Sequence, residues 1–292
     1  LIAMQVEAGR IGLDLPVSRF IPEWNNGPNP DWRKAVTIRN LLTHTSGLPA
    51  HKDYFLTLHS KREFIAAICA EPLEYAPGTE TIYSDLGFIL LGEILERATG
   101  KPVDQLAREQ IFAPLDMAGT SFNPAKSRKN RIAPTENDTT YRKRQLQGEV
   151  HDENASAMGG VAGHAGMFTT ASDLAAFCQM LLNGGIYGHH RFLARATISQ
   201  FTAAQSIAGN TRTLGWMTPT PNSTSGQYFS ARSYGHLGYS GTSIWIDPDR
   251  KLFVILLTNR VYPTRENARI AAVRPAVHDA VIESLGLAPA GK

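Results

Sequence analysis

The feature that most limits the fold of this chain is a change of hydrophobic period late in the sequence. Up to about residue 200 the apolar residues recur at helical spacing; after Thr213 they alternate or run together as they do in strands. Leu86, Ile89, Leu90 and Ile94 form one buried stripe that ends at Gly100-Lys101-Pro102. Leu174, Phe177, Cys178, Leu181 and Leu182 form another, opened by Ser172 and closed by Asn183-Gly184-Gly185. Helices are also expected over 1–8, 38–42, 61–70 and 102–111, with Thr37 and Ser60 as caps and Pro102 at a first helical position. Residues 214–217, 233–246 and 252–259 read as strands, and Asp247-Pro248-Asp249-Arg250 is the turn between the last two. Residues 252–257 are apolar at every position, the pattern of a strand buried on both faces. A terminal helix near 275–285 is placed to cover that sheet, so the whole is an α+β architecture.

At 292 residues and 42% hydrophobic content the chain can bury a full core. The net charge of +3 is small, and the basic runs at 126–131 and 142–144 are too short for a nucleic-acid stripe. No metal or cofactor is expected. The nine histidines include no His-Glu-x-x-His, and residues 159–166 lack the Gly-x-Gly-x-x-Gly of a dinucleotide loop. Cys69 and Cys178 lie in helical patterns and read as buried free thiols. No apolar run reaches the ~20 residues of a membrane span, no signal peptide opens the chain, and no Gly-x-Ser-x-Gly elbow is present.

Chemistry centres on residues 74–85, Glu-Tyr-Ala-Pro-Gly-Thr-Glu-Thr-Ile-Tyr-Ser-Asp. Pro77-Gly78 is a turn signal and Ser84 or Asp85 can cap the helix that follows, so Tyr83 is held at a helix entrance. A phenol fixed there can shuttle protons if cationic neighbours lower its pKa. Taken alone, the triplet reads more readily as a packed core tyrosine. Two further stretches bear on it: Thr-Ile-Arg-Asn-Leu-Leu-Thr-His-Thr-Ser-Gly-Leu at 37–48, and Gly-His-Leu-Gly-Tyr-Ser-Gly-Thr-Ser at 235–243.

Together, and in this order, the three stretches resemble the serine hydrolases of the class C β-lactamase and penicillin-binding-protein family. Residues 113–117, 159–168 and 257–260 match further landmarks, so the resemblance runs over nearly the whole chain. It implies a β-lactamase/transpeptidase-like fold in one domain without its N-terminal part, with the Tyr83 motif in a helical region (1–200) and the His236 motif among strands (201–292). It implies acyl-enzyme chemistry on an ester or amide and a small-molecule or peptide substrate. Tyr83 takes the acid/base position, and Asp85 stands where the family has an asparagine. His236-Leu237-Gly238 is the strand motif, and the backbone N–H of Tyr239 is one oxyanion donor. Leu237, Gly238 and Ser240 fall at substrate-binding positions; His44 falls in the segment that buttresses the site. Residues 150–154 match a landmark of one subgroup, which places Asp152 and Asn154 near the cleft within a long polar loop at 123–155. Export to the periplasm is the family's expectation.

The departures matter for specificity. A charged Asp85 pairs more strongly with a lysine ammonium and donates less well to a substrate carbonyl. Leu237 lacks the hydroxyl that helps hold a carboxylate in relatives, while His236 is expected to carry positive charge near the working pH. Both substitutions point to an esterase, amidase or peptidase. The family's Ser-x-x-Lys is expected roughly two to three helical turns before Leu1, because residues 1–8 read as the tail of its helix. None of the nine lysines has a serine three residues upstream; Thr140 before Lys143 is the nearest imitation. The chain by itself is therefore expected to be inactive. A non-catalytic binding module that keeps the cleft is the alternative.

Overall fold

The computed structural model describes residues 1–207, 209, 211–221 and 223–288. Helix α1 (Ile2–Glu7) stops at Gly9, whose φ of +69° ends the helical path. An extended connector with short 3₁₀ turns and a six-residue helix at Pro30–Ala35 leads to α2 (Ile38–Leu42). There the Thr37 hydroxyl accepts from the Asn40 N–H while the Asn40 side chain accepts from the Thr37 N–H. Helix α3 (Lys61–Ala70) begins at Ser60, and the Glu63 carboxylate reaches back to the Ser60 hydroxyl and the His59 N–H. Helix α4 (Asp85–Thr99) buries Leu86, Ile89, Leu90 and Ile94 against α2 and α3 in the main core and ends at a left-handed Gly100. Each such side chain contributes about 1.5–3 kcal/mol relative to exposure.

The helix expected at 102–111 is shorter, Val103–Ala107, and then widens into a π turn over Arg108–Phe112. The polar loop is ordered by local polar pairing together with the burial of Leu146, Val150 and Ala155. It contains a 3₁₀ turn (Lys126–Arg131), a two-residue ladder joining Asn137–Asp138 to Arg144–Gln145, and helix α5 (Glu153–Ala157). Buried Asp138 accepts from the Arg142 guanidinium and from three backbone N–H groups. Helix α6 (Ala171–Leu182) is capped two residues earlier than Ser172 suggests, by the Thr170 hydroxyl accepting from the Asp173 N–H. Helix α7 (Arg195–Thr202) follows. Cys69 and Cys178 are buried and free, and burial pushes their thiols up to about 11 and about 12.

Strands β1 (Tyr234–Leu237), β2 (Ser243–Asp247) and β3 (Leu252–Leu256) form an antiparallel sheet with β2 in the middle. The stretch 233–246 is thus a hairpin turning at 238–242, and of the stretch 214–217 only Met217 pairs, with Arg212 and Gly235. The pleat separates two faces. Tyr234, His236, Ile244 and Ile246 share one; Tyr234 and Ile246 join Cys178, Met180 and Leu181 of α6 in a core. Gly235, Leu237, Ser243 and Trp245 share the other, where helix α8 (Ile270–Ser284) brings Ile282 to Trp245 and His278 Nε2 to within 3.1 Å of Ser243 Oγ. The expectation that 252–257 is buried on both faces is wrong. Only Val254 is buried and Leu257 is 39% exposed, because β3 is the outer strand and β2 holds the covered centre.

Candidate active site

Residues 82–85 are stitched to residues 44–50. The Ile82 N–H donates to His44 O, the Ser84 N–H to His44 Nδ1 at 3.0 Å, the Ser84 hydroxyl to Pro49 O at 2.7 Å, and the Asp85 N–H to Ala50 O. Ser84 also caps α4, accepting from the Gly87 N–H. The imidazole of His44 is buried, stacks on Phe88 (4.9 Å between ring centres) and lies 4.5 Å from the Tyr83 ring. Burial, then Arg212 and His236, push its pKa down to about 3, so it is a neutral prop. Its backbone sits at φ +58°, a left-handed conformation in which histidine is enriched. Opposite the motif segment, Gly163 passes against α4: a Cβ there would stand 2.0 Å from Phe88 O, which is why this crossing needs glycine.

Tyr83 is 44% exposed, with its ring centre 6.1 Å from that of His236 and the Arg212 guanidinium 5.3 Å over its face. One cationic neighbour does not lower its pKa. Burial and the Asp85 charge outweigh Arg212 and push the phenol up to about 12. His236 is likewise not a cation at neutral pH: burial lowers its pKa against the opposing bond from Nδ1–H to Leu237 O at 2.8 Å. That bond sets the tautomer and leaves Nε2 with a free lone pair.

Asp85 meets a residue that sequence reasoning missed. His51 Nδ1 lies 3.3 Å from Asp85 Oδ2, and His51 Nε2 lies 3.3 Å from Asp53, so the imidazole pKa is raised, chiefly by Asp85. Asp152 caps α5 by accepting from the Ala155 N–H and takes a second bond from His164 Nε2 at 3.0 Å. Burial raises its pKa, but the His164 bond and charge and the Ala155 N–H outweigh it, with His51 adding to them, and the net shift is downward. Asn154, in contrast, has its amide engaged within the protein. It is fully buried, accepting from the Phe55 N–H and donating to Lys52 O, so both ends of its amide are used in joining two loops.

The β1–β2 turn forms the other wall. Leu237 lies on the α8 face of the sheet, opposite His236. At Gly238 a Cβ would stand 2.1 Å from Thr242 Oγ1. Tyr239 is 59% exposed; its ring stacks on His151 (5.8 Å) and lies under the Arg260 guanidinium (4.2 Å). The Ser240 carbonyl accepts from the Arg260 N–H. Among the described residues the Tyr239 N–H donates to no protein acceptor. An apolar cavity of about 230 Å³, lined by Leu1, Phe177, Phe192 and Trp216 among others, includes none of these groups. Among the described residues no cluster of three His, Cys, Asp or Glu side chains is arranged to hold a metal, and no helix is long and apolar enough to cross a membrane.

The sequence profile described as Beta-lactamase matches residues 1–278. The chain belongs to the beta-lactamase family. A relative from Escherichia coli strain K12, named "Putative D-alanyl-D-alanine carboxypeptidase", is 36% identical over 281 residues. That alignment covers 86% of this chain and 64% of the relative, so the chain spans less than two thirds of its relative's length. A penicillin-binding-protein homologue from Caulobacter crescentus superposes with a TM-score of 0.72 at 20% identity, covering 96% of this chain and 79% of the other. EstCE1, described as a hydrolase with promiscuous acyltransferase activity, superposes with a TM-score of 0.70 at 22% identity, covering 94% and 80%. At these identities the superpositions show the shared fold. This family member therefore has the β-lactamase/transpeptidase-like α+β architecture that its motifs imply.

Proposed function

We propose that this chain carries the cleft of a serine hydrolase that works through an acyl-enzyme on an ester or amide carbonyl. One observation carries the reading: Tyr83 and His236 approach to 6.1 Å at β1, and the unpaired Tyr239 N–H lies just beyond the end of the same strand. In acylation, a serine hydroxyl loses its proton to a base and its oxygen adds to the carbonyl carbon. The carbonyl π pair moves onto oxygen, and the Tyr239 N–H is a donor for that oxyanion. Collapse of the tetrahedral intermediate expels a leaving group that needs a proton. Tyr83, the group placed to take the serine's proton in the first step, returns it to the leaving group. Water then adds to the acyl-enzyme by the same path and frees the acid.

None of the 292 residues forms Ser-x-x-Lys, and the chain spans 64% of its E. coli relative. We place the nucleophile and its lysine upstream of Leu1. A lysine ammonium beside Tyr83 lowers the phenol pKa and lets the same group act as base in the first step. The substrate class is an ester, an amide or a D-amino-acid peptide, the last suggested by the relative's name. The absence of the motif from these residues also favours a second reading, a cleft that only binds.

A fluorophosphonate probe separates the two. The gene product extended upstream of Leu1 is expected to be labelled on the serine of Ser-x-x-Lys and to hydrolyse a nitrophenyl ester, with Tyr83→Phe lowering kcat/KM by about 10²–10⁴. The 292-residue chain stays unlabelled. An extended product that neither labels nor hydrolyses is the binding module.

A further inference from the structure

The turn that bears Tyr239 is held by its carbonyls, five in succession. Gly238 O accepts from an Arg274 terminal nitrogen at 2.6 Å and from the Gly241 N–H at 3.0 Å. Tyr239 O accepts from Arg260 Nε at 2.9 Å, and Ser240 O from the Arg260 N–H at 2.8 Å. Gly241 O accepts from the Thr258 hydroxyl, and Thr242 O from the Gly238 N–H and the same Arg274 nitrogen. In a trans peptide the C=O and N–H point in opposite directions. Arg274 stands on α8, so a Gly238 carbonyl drawn toward it turns the Tyr239 N–H the other way, to the side of the sheet where His236 and Tyr83 meet.

We propose that Arg274 is the positioning residue of the oxyanion donor: it holds the Gly238–Tyr239 peptide with the Tyr239 N–H facing the cleft. The inference rests on the reading of that N–H as an oxyanion donor. Arg274 is 7% exposed, its Nε has no acceptor, and among the described residues its guanidinium makes no ion pair. A buried cation without a carboxylate is costly to keep, and the nearby Arg260 charge adds to that cost. Negative charge developing across the Gly238–Tyr239 peptide offsets it, and does so only in the transition state.

The test uses two readouts. In the extended gene product, Arg274→Met is expected to lower kcat for a nitrophenyl ester about 10- to 100-fold, less than outright loss of an oxyanion donor, with KM within about twofold. Arg274→Lys is expected to recover part of that loss. In the 292-residue chain, the Gly238 carbonyl ¹³C resonance is expected to move upfield in Arg274→Met as its hydrogen bond is lost. If Arg274→Met does not fold, Arg274→Lys serves for both measurements. Unchanged kcat, or a loss shared by KM that follows the fall in Tm, overturns the proposal in favour of plain structural support. If the extended product hydrolyses nothing, the acyl-transfer reading fails. The carbonyl resonance still decides the clamp: a shift supports it, and an unmoved resonance overturns it.

Discussion

Tyr83 stands on a wall held by packing, whereas Tyr239 stands on a turn tied down by two arginines. On the first wall His44 is neutral, Ser84 is buried, and α4 presses an unbroken apolar stripe into the core. On the second, Arg260 and Arg274 bind backbone carbonyls, and the ring of Tyr239 packs on both Arg260 and His151. The difference follows from what each wall presents to a reacting carbonyl. A side-chain hydroxyl is positioned through its ring and helix, which packing can hold. A backbone N–H is aimed only by turning its peptide, and the handle for that is the carbonyl of the preceding residue. Packing defects should therefore loosen the first wall through global stability, and loss of an arginine should act on the second locally.

The largest expected effect is on the packed wall. Leu90→Ala, at a fully buried position, is expected to cost about 2–5 kcal/mol in urea unfolding. Arg260→Met, which removes the partly exposed guanidinium bonds to Tyr239 O, Arg265 O and Asn267 O, is expected to cost about 1–2 kcal/mol. Equal costs would erase the distinction between the walls.

Acid probes the ion pairs that dock the 123–155 loop beside Tyr239. Arg265 bonds both Glu136 and Glu153, and His151 Nε2 lies 3.0 Å from Glu136. Burial works to raise the Glu136 pKa, but the Arg265 and His151 bonds prevail and bring it down to about 2. A carboxylate with a depressed folded-state pKa stabilises above its unfolded value, near 4.5, and that contribution disappears as pH falls toward about 2. His51 has the opposite sign. Its raised pKa gives stability that is present below about 6.5 and is lost as pH rises through the folded value. Amide exchange in residues 136–153 is therefore expected to accelerate between about pH 4.5 and 2 while α4 stays protected. Simultaneous opening of both regions would show that the loop is not held separately.

The smallest effect concerns Leu237. The missing hydroxyl at this position suggests poor selection for anionic substrates, but the pleat puts the side chain on the α8 face. Leu237→Thr is expected to change the preference between a neutral ester and a chromogenic cephalosporin by less than about tenfold. A larger change would return position 237 to the ligand side.

What was legible in the sequence was local. The Pro77-Gly78 turn, the Ser84 cap and the α4 stripe involve residues within a few positions of one another, and they place Tyr83 correctly at a helix entrance. The pairings that set charge are distant: His51 with Asp85, Arg212 over Tyr83, Glu136 with Arg265, Arg274 with Gly238. No spacing announces them, so a cationic His236 and a lowered Tyr83 pKa were natural expectations that burial overturned. Apolarity along 252–257 likewise does not say whether a strand is central or outer, and an asparagine in a polar loop does not reveal that both ends of Asn154 are already bonded.

The central claim is that Tyr83, His236 and the Tyr239 N–H face one reacting carbonyl. A crystal structure of the extended gene product carrying a covalent fluorophosphonate adduct tests it most directly. The account predicts a phosphonyl oxygen within about 2.7–3.1 Å of the Tyr239 nitrogen, with the Tyr83 hydroxyl at hydrogen-bonding distance from the serine oxygen. An adduct on a serine whose phosphonyl oxygen takes its donors elsewhere, with Tyr83 turned away, would contradict it.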